Sequence, residues 1–284
     1  FNVALCRAVA AAVLADPAAV DFVPVGAADS IAALTGGEID VLARNTVWTL
    51  AHDAADAVTF AAISLYDGQG FVARREEDLS IASVGELDGA RICVQAGTVN
   101  ARDLPDYFHA NEIGLSTVAF DTLDRAVKEY AAGGCDVLSA GLTTLAAVRA
   151  TFEDPSVHVI LPETIARQPL GLVVRQDDSP WADIVGWTVH ALVAAEGLGI
   201  TSANVGALAE GTDVPEINRL LGTEGALGAE LGLDPTWGLR AIQAGGNYGE
   251  IFERHIGENT PIGLARGLNA QWTDGGLLYA PPLR

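Results

Sequence analysis

Methionine is absent from this sequence, lysine occurs once, at Lys128, and cysteine only three times. Sixteen basic side chains face 37 acidic ones, for a net charge of −21. A chain so poor in base repels polyanions at long range, which excludes a nucleic-acid binder or a protein drawn to anionic membranes. No apolar run reaches the roughly twenty residues of a membrane-spanning helix, and no signal peptide is visible. Cys6, Cys93 and Cys135 show neither CxxC nor Cys/His spacing, which excludes a zinc site. Buried thiols, or one disulfide plus an orphan, both remain open. No P-loop and no GxGxxG follows a strand, and neither GxSxG nor a Ser-His-Asp spacing occurs. No catalytic residue, metal or cofactor is therefore expected.

What is present is a large apolar fraction, 50% of 284 residues, enough to bury the cores of two ordinary domains. The stretch "NVALCRAVAAAVLADP" has helical spacing from the first residues, with Asn2 as its expected cap. A helix that begins so abruptly suggests a trimmed or processed chain. Strand and helix signals then alternate. "AVDFVPV" (19–25) and "IDVLA" (39–43) read as strands around the helix "DSIAALTGG". "RICVQ" (91–95), a helix near 101–110, "STVAF" (116–120), a helix "TLDRAVKEYAAGG" and "CDVLSA" repeat the pattern. This is βαβ grammar, which implies an α/β fold with parallel sheets. Because the grammar restarts, two lobes are expected, with crossings at "GQGFVARREEDLS" (68–80) and "QPLGLVVRQDD" (168–178). Lobe one is then discontinuous, 1–72 plus 174–284 with a largely helical C-terminal tail, and lobe two is 73–173. The two crossings form a two-strand hinge. Glu76 and Glu77 fall there as a solvated charge run.

An internal echo points to the site. "ALTGGEIDVLARN" and "YAAGGCDVLSAG" share a helix, a Gly-Gly stop, an aspartate (Asp40, Asp136) and Val-Leu. In open α/β sheets ligands bind beyond the carboxyl ends of strands. The loop after the first copy carries Arg44, Asn45, Thr46, Trp48, Thr49 and His52; in the second copy the polar groups are almost gone. A third loop, "QAGT", places Gly97, Thr98 and Val99 at a helix start, where the amides of Thr98, Val99 and Asn100 form an anion nest. Trp48 is either core or an aromatic ligand wall. His52 has no second histidine or cysteine near it, and His109, His158, His190 and His255 are scattered.

The tail "GLRAIQAGGNYGEIFERHIGENTPIGLARGLNAQWTDGGLLYAPPLR" resembles the closing segment of the general L-amino-acid-binding proteins of ABC importers, a branch of the family-3 solute-binding proteins. "FNVALCRAVAAAV", "GGEIDVLARNTVWTLAHD", "LYDGQGFVAR", "LDGARICVQAGT" and "GGCDVL" extend the resemblance over essentially the whole chain. It implies a two-lobed periplasmic-binding-protein type II fold. It also implies a periplasmic or extracellular monomer that closes on a small polar solute, an amino acid or related compound, and delivers it to a membrane permease. On this pattern the chain lacks a signal peptide and the first strand of lobe one, and Cys6 has lost a partner that would precede Phe1. The ligand's carboxylate is held by an arginine eight residues after the strand end of lobe one, together with the Gly-Thr loop. The ammonium is held by an aspartate after the second Asp-Val strand.

Two positions depart from that pattern: His52 stands where the arginine is expected and Gly141 where the aspartate is expected. Neutral histidine is a poor substitute for a bidentate guanidinium. An ammonium without a counter-charge pays a desolvation cost of several kcal/mol. A weakened grip on ordinary amino acids is the expectation, relieved by His52→Arg with Gly141→Asp. The alternatives are an altered ligand with Arg44 holding an anion, a sensor or receptor module without transport, and a dehydratase-like enzyme on the same fold with His52 as its acid–base group. In a 2-1-3 strand order Cys93 and Cys135 lie on neighbouring strands, so they are expected to form a disulfide.

Overall fold

The computed structural model describes residues 1–75 and 81–284; Glu76 and Glu77 lie outside the described residues. In chain order the helices are α1 (Asn2–Leu14), α2 (Ser30–Thr35), α3 (Leu50–Ala55), α4 (Val99–Ala110), α5 (Leu123–Ala131), α6 (Leu142–Arg149), α7 (Ser179–Gly197), α8 (Val205–Glu210), α9 (Pro215–Leu221), α10 (Leu227–Glu230), α11 (Trp237–Gly245) and α12 (Tyr248–His255). The strands are β1 (Val58–Arg74), β2 (Arg91–Gln95), β3 (Ser116–Phe120), β4 (Val137–Gly141), β5 (His158–Ile160) and β6 (Ala166–Arg175). The chain divides into two compact units. The first comprises Phe1–Leu65, Leu170–Thr260 and Ala265–Arg284, the second Tyr66–Pro169 and Pro261–Leu264. β1 and β6 pass from one unit to the other, at Leu65/Tyr66 and Pro169/Leu170, where the sequence reading placed the crossings at 72/73 and 173/174.

In the second unit β3, β2 and β4 lie side by side in that order and run parallel, because α4 and α5 supply the crossovers that parallel strands require. The sheet is nevertheless mixed. β1 lies antiparallel to both β4 and β5, pairing Gln69 with Gly141 and Val72 with Ile160. Alternation along the strands gives the sheet two apolar faces. Phe71, Ile92, Val94 and Val137 pack with Leu104 and Phe108 of α4; Val72, Cys93, Leu138 and Ala140 pack with Ala126 and Tyr130 of α5 and Leu145 of α6. Cys93 and Cys135 are joined in a disulfide on the second face, with Cα atoms 5.7 Å apart. On the same side buried His158 accepts or donates a 2.8 Å hydrogen bond with the Tyr130 hydroxyl and stacks on Phe152.

The first unit is dominated by helices, as expected for the tail. Small side chains let α1 pack closely: it buries Leu5 and the run Ala8 to Ala12, and it lies against α7 and α11. Its N-cap is Phe1, not Asn2; the Asn2 amide donates instead to Asn45 Oδ1 at 3.4 Å. Two expected strands do not form. Residues 19–25 have no regular structure, and Phe22 and Val23 stay exposed. Pro24 offers no N–H, and no described neighbour exchanges ladder bonds with this run. Residues 39–43 reduce to an isolated bridge, Leu42 with Val173 of β6, followed by Val47 with Leu170. An apolar run becomes a strand only where a neighbour returns successive hydrogen bonds, and here only single contacts are made. Leu34, Leu42, Val58, Phe60 and Val173 still form one buried cluster. Among the described residues no helix is long and apolar enough to cross a membrane.

Candidate functional site

In the first unit the loop 44–52 makes extensive use of its own polar groups. Thr49 is the N-cap of α3, its hydroxyl accepting from His52 N–H at 3.2 Å. The His52 ring approaches the Val47 carbonyl at 3.1 Å. A carbonyl only accepts, so Nδ1 is the donor in this contact and the ring pins the loop. Trp48 stacks on Phe60 with centroids 5.0 Å apart and planes 7° from parallel, and it packs against the Leu34–Leu42–Val58 cluster. Thr46 is buried, and its carbonyl accepts from Gly171 N–H at 3.1 Å. Arg44 is different. It is half-buried, donates to the Val25 carbonyl at 3.1 Å, and forms no ion pair among the described residues. Burial, with no carboxylate to offset it, lowers its pKa.

In the second unit a polar layer caps the apolar face at the carboxyl ends of β2 and β4. Gly97 takes φ 75°, a left-handed turn that glycine adopts without strain. Thr98 follows as the N-cap of α4, donating to the Gln95 carbonyl at 2.7 Å and accepting from Ala101 N–H at 3.3 Å. Its hydroxyl is thus engaged in the turn. The amides of Val99 and Asn100 have no intrahelical acceptor, as in any first helical turn. Next to this turn Gln168, buried at the start of β6, donates to Asn100 Oδ1 at 2.7 Å. Gln69 on β1 donates to the Asn100 carbonyl and to Ser139 Oγ, each at 2.9 Å. Gln69 Oε1 is buried without a partner among the described residues.

Asp67 stands beside this layer. It lies two residues before Gln69 on β1, hence on the same face, just past the end of β4. Its carboxylate accepts from Thr143 N–H at 3.2 and 3.4 Å, and the amides of Gly68 and Leu142 add hydrogen bonds. Burial nevertheless outweighs these bonds and pushes the carboxyl above its ordinary pKa. Gly141 has ordinary extended dihedrals, φ −61° and ψ 142°. A Cβ at 141 would meet Asp67 Oδ2 at 2.9 Å and Gln168 Oε1 at 3.5 Å. The space beside Gly141 therefore already holds a carboxylate, and Gly141→Asp would set two acids against each other, contrary to the gain expected of that change from the sequence alone.

Each unit thus gathers one set of the sequence-derived candidates: Arg44, Asn45, Thr46, Trp48, Thr49 and His52 in the first, Gly97, Thr98, Val99 and Gly141 in the second. Asp67, Gln69, Asn100 and Gln168 are the residues that sequence reasoning passed over as side-chain candidates. Their signal was an acid and an amide inside the glycine-punctuated strand "LYDGQGF". The echoed aspartates are structural: Asp40 pairs with Arg175 at 2.9 Å, and Asp136 pairs with Arg91 at 3.2 Å while accepting its amide at 2.7 Å.

No family model matches the chain. Known proteins do. It is 51% identical to the glutamate/glutamine/aspartate/asparagine-binding protein BztA of Rhodobacter capsulatus, over 100% of this chain and 83% of that protein. It is 46% identical to the general L-amino acid-binding periplasmic protein AapJ of Rhizobium johnstonii, again over 100% and 83%. Among solved structures, a periplasmic binding protein of an ABC transporter from Brucella ovis, with glutathione bound, matches at TM-score 0.97 and 47% identity, over 100% of this chain and 88% of that one. With identity at this level along its whole length, and with the same fold, the chain belongs to the family of amino-acid-binding periplasmic proteins of ABC transporters.

Proposed function

We propose that this protein captures a solute bearing an α-amino-acid head, acts in the periplasm or outside the cell, and hands its cargo to a membrane permease. It works as a monomer, catalyses no reaction and engages no nucleic acid. The observation that carries the reading is 51% identity along the whole chain to a protein named for four amino acids. Glutamate, glutamine, aspartate, asparagine and the γ-glutamyl end of glutathione share one head, an ammonium and a carboxylate on one carbon. Arg44 is suited to such a carboxylate, being a half-buried cation with no acid of its own among the described residues. The turn Gly97–Thr98–Val99 is a second carboxylate-binding element, through the first-turn amides of α4.

Calorimetric titration with L-glutamate, L-glutamine, L-aspartate, L-asparagine, reduced glutathione and a neutral sugar tests the proposal. At least one solute with the α-amino-acid head should bind with a Kd of about micromolar or tighter, and the sugar should not. Absence of binding by all five at protein concentrations of tens of micromolar would overturn it.

A further inference from the structure

We propose that Asp67 is the counter-charge for the solute's ammonium in this protein, presented from β1 into the space that Gly141 leaves free. The inference rests on the reading that the solute carries an α-amino-acid head. It goes beyond that reading by assigning the ammonium to a residue on a different strand from the position at which the sequence located it.

Three observations carry it. Asp67 forms no ion pair among the described residues, whereas Asp40, Asp121, Asp136, Asp234 and Glu196 each have an arginine within 3.2 Å. Its surroundings are neutral: Gly141, Thr143 and the Gln168 amide. A half-buried carboxyl with polar neighbours but no cation gains the most from an ammonium placed beside it. Second, Gly141 needs no glycine for its backbone, since its dihedrals suit any residue, but it needs one for space. The missing side chain is what admits the Asp67 carboxylate to the end of β4. Third, Asp103 on α4, whose pKa burial also raises and which Asp106 repels, has Arg102 as a favourable charged neighbour, whereas no cation neighbours Asp67 among the described residues.

The rival explanation is that Asp67 merely caps α6, whose own N-cap residue, Gly141, has no side chain. Asparagine caps helices as well as aspartate does. Capping therefore needs the oxygen and not the charge, and this separates the two roles. Asp67→Asn keeps an acceptor for Thr143 N–H and removes the charge; Asp67→Ser does the same with a different capping side chain.

The test titrates the parent and both variants with the four amino acids, and with the analogue of each that has hydrogen in place of the ammonium, such as glutarate for L-glutamate and succinate for L-aspartate. Loss of a charge-assisted contact should weaken the tightest amino acid at least thirtyfold, a loss of about 2 kcal/mol. The deaminated analogue should bind the variants as well as the parent or better, a response that a purely structural role would not produce. Melting temperatures of the unliganded variants within about 2 °C of the parent report an intact fold. If the parent binds an amino acid and a folded variant binds it within threefold of the parent, the assignment to Asp67 is overturned while the proposed function stands. If the parent binds none of the four amino acids and no glutathione, both are overturned.

Discussion

The loop 44–52 of the first unit and the strand end around Gly141 in the second differ in what they leave available. In the first, Thr49, His52 and Trp48 are engaged in a cap, a carbonyl contact and a stack on Phe60, and the charge that remains is the Arg44 guanidinium. In the second, Thr98, Asn100, Gln69 and Gln168 bond to one another and to backbone, and the charge that remains is the Asp67 carboxylate. Polar content is thus a poor guide to which groups are free for a ligand. The loop most conspicuous in the sequence holds itself together, while one aspartate in a plain apolar strand has no cation beside it among the described residues.

That comparison can be strained most by removing the crosslink that only the second region has. Reducing Cys93–Cys135, or replacing both with serine, opens a loop with a sequence separation of 42. The chain-entropy estimate puts the loss at about 4 kcal/mol. Urea denaturation of the oxidised and reduced protein should show the second unit's transition falling first. Equal loss in both units would mean that the two do not unfold independently.

Next in size is Trp48→Ala. Because the ring stacks on Phe60 and is partly buried, the change should cost about 2–3 kcal/mol in the first unit, below the usual cost at a fully buried site. Unchanged stability with lost solute affinity would instead make Trp48 a ligand wall. Gly141→Ala should follow, with a loss of about 1–3 kcal/mol from overpacking against Asp67, accompanied by weaker amino-acid binding in calorimetry. Thr49→Ala should cost about 1 kcal/mol by removing the α3 cap, and Thr98→Ala the same at α4, both read from denaturant midpoints.

The smallest effect is one of sign. Burial raises the Asp67 pKa in the folded state, so the folded chain holds this proton more tightly than the unfolded chain does. Its contribution to stability is therefore favourable in acid and is lost as the pH rises through the folded pKa. Unliganded Asp67→Asn should be at least as stable as the parent at pH 7. The difference should vanish as the pH falls below the ordinary carboxylate value of about 4. Thermal melts of both proteins across that range check it. A variant clearly less stable at pH 7 would show that the charge itself helps to hold α6.

Much of the fold was legible in the sequence because it rests on local signals. The helix signals of α1 and α5 and the apolar runs of β2, β3 and β4 each encode an element within a few residues of its observed bounds. The runs 19–25 and 39–43 carry the same signal but make no ladder, since pairing depends on a partner distant in sequence. The candidate site was legible in part. The Gly97–Thr98 turn is written locally, by a positive φ and a helix cap. Asp67 was marked only as an acid inside a glycine-punctuated strand, and its approach to Gly141 depends on a strand pairing that no local pattern records.

By itself the sequence determined the family, the α/β class and many of the helices and parallel strands, since propensity, capping and apolar period act over a few residues. It also determined that the Asp-Val strand would end in glycine. What that glycine means was decided only in three dimensions. The antiparallel register Gln69–Gly141 brings Asp67 to the end of β4 across more than seventy residues of chain. There the packing of β1 leaves room for a carboxylate only because position 141 has no side chain. A contact of that kind depends on register and excluded volume, which no local pattern of residues records.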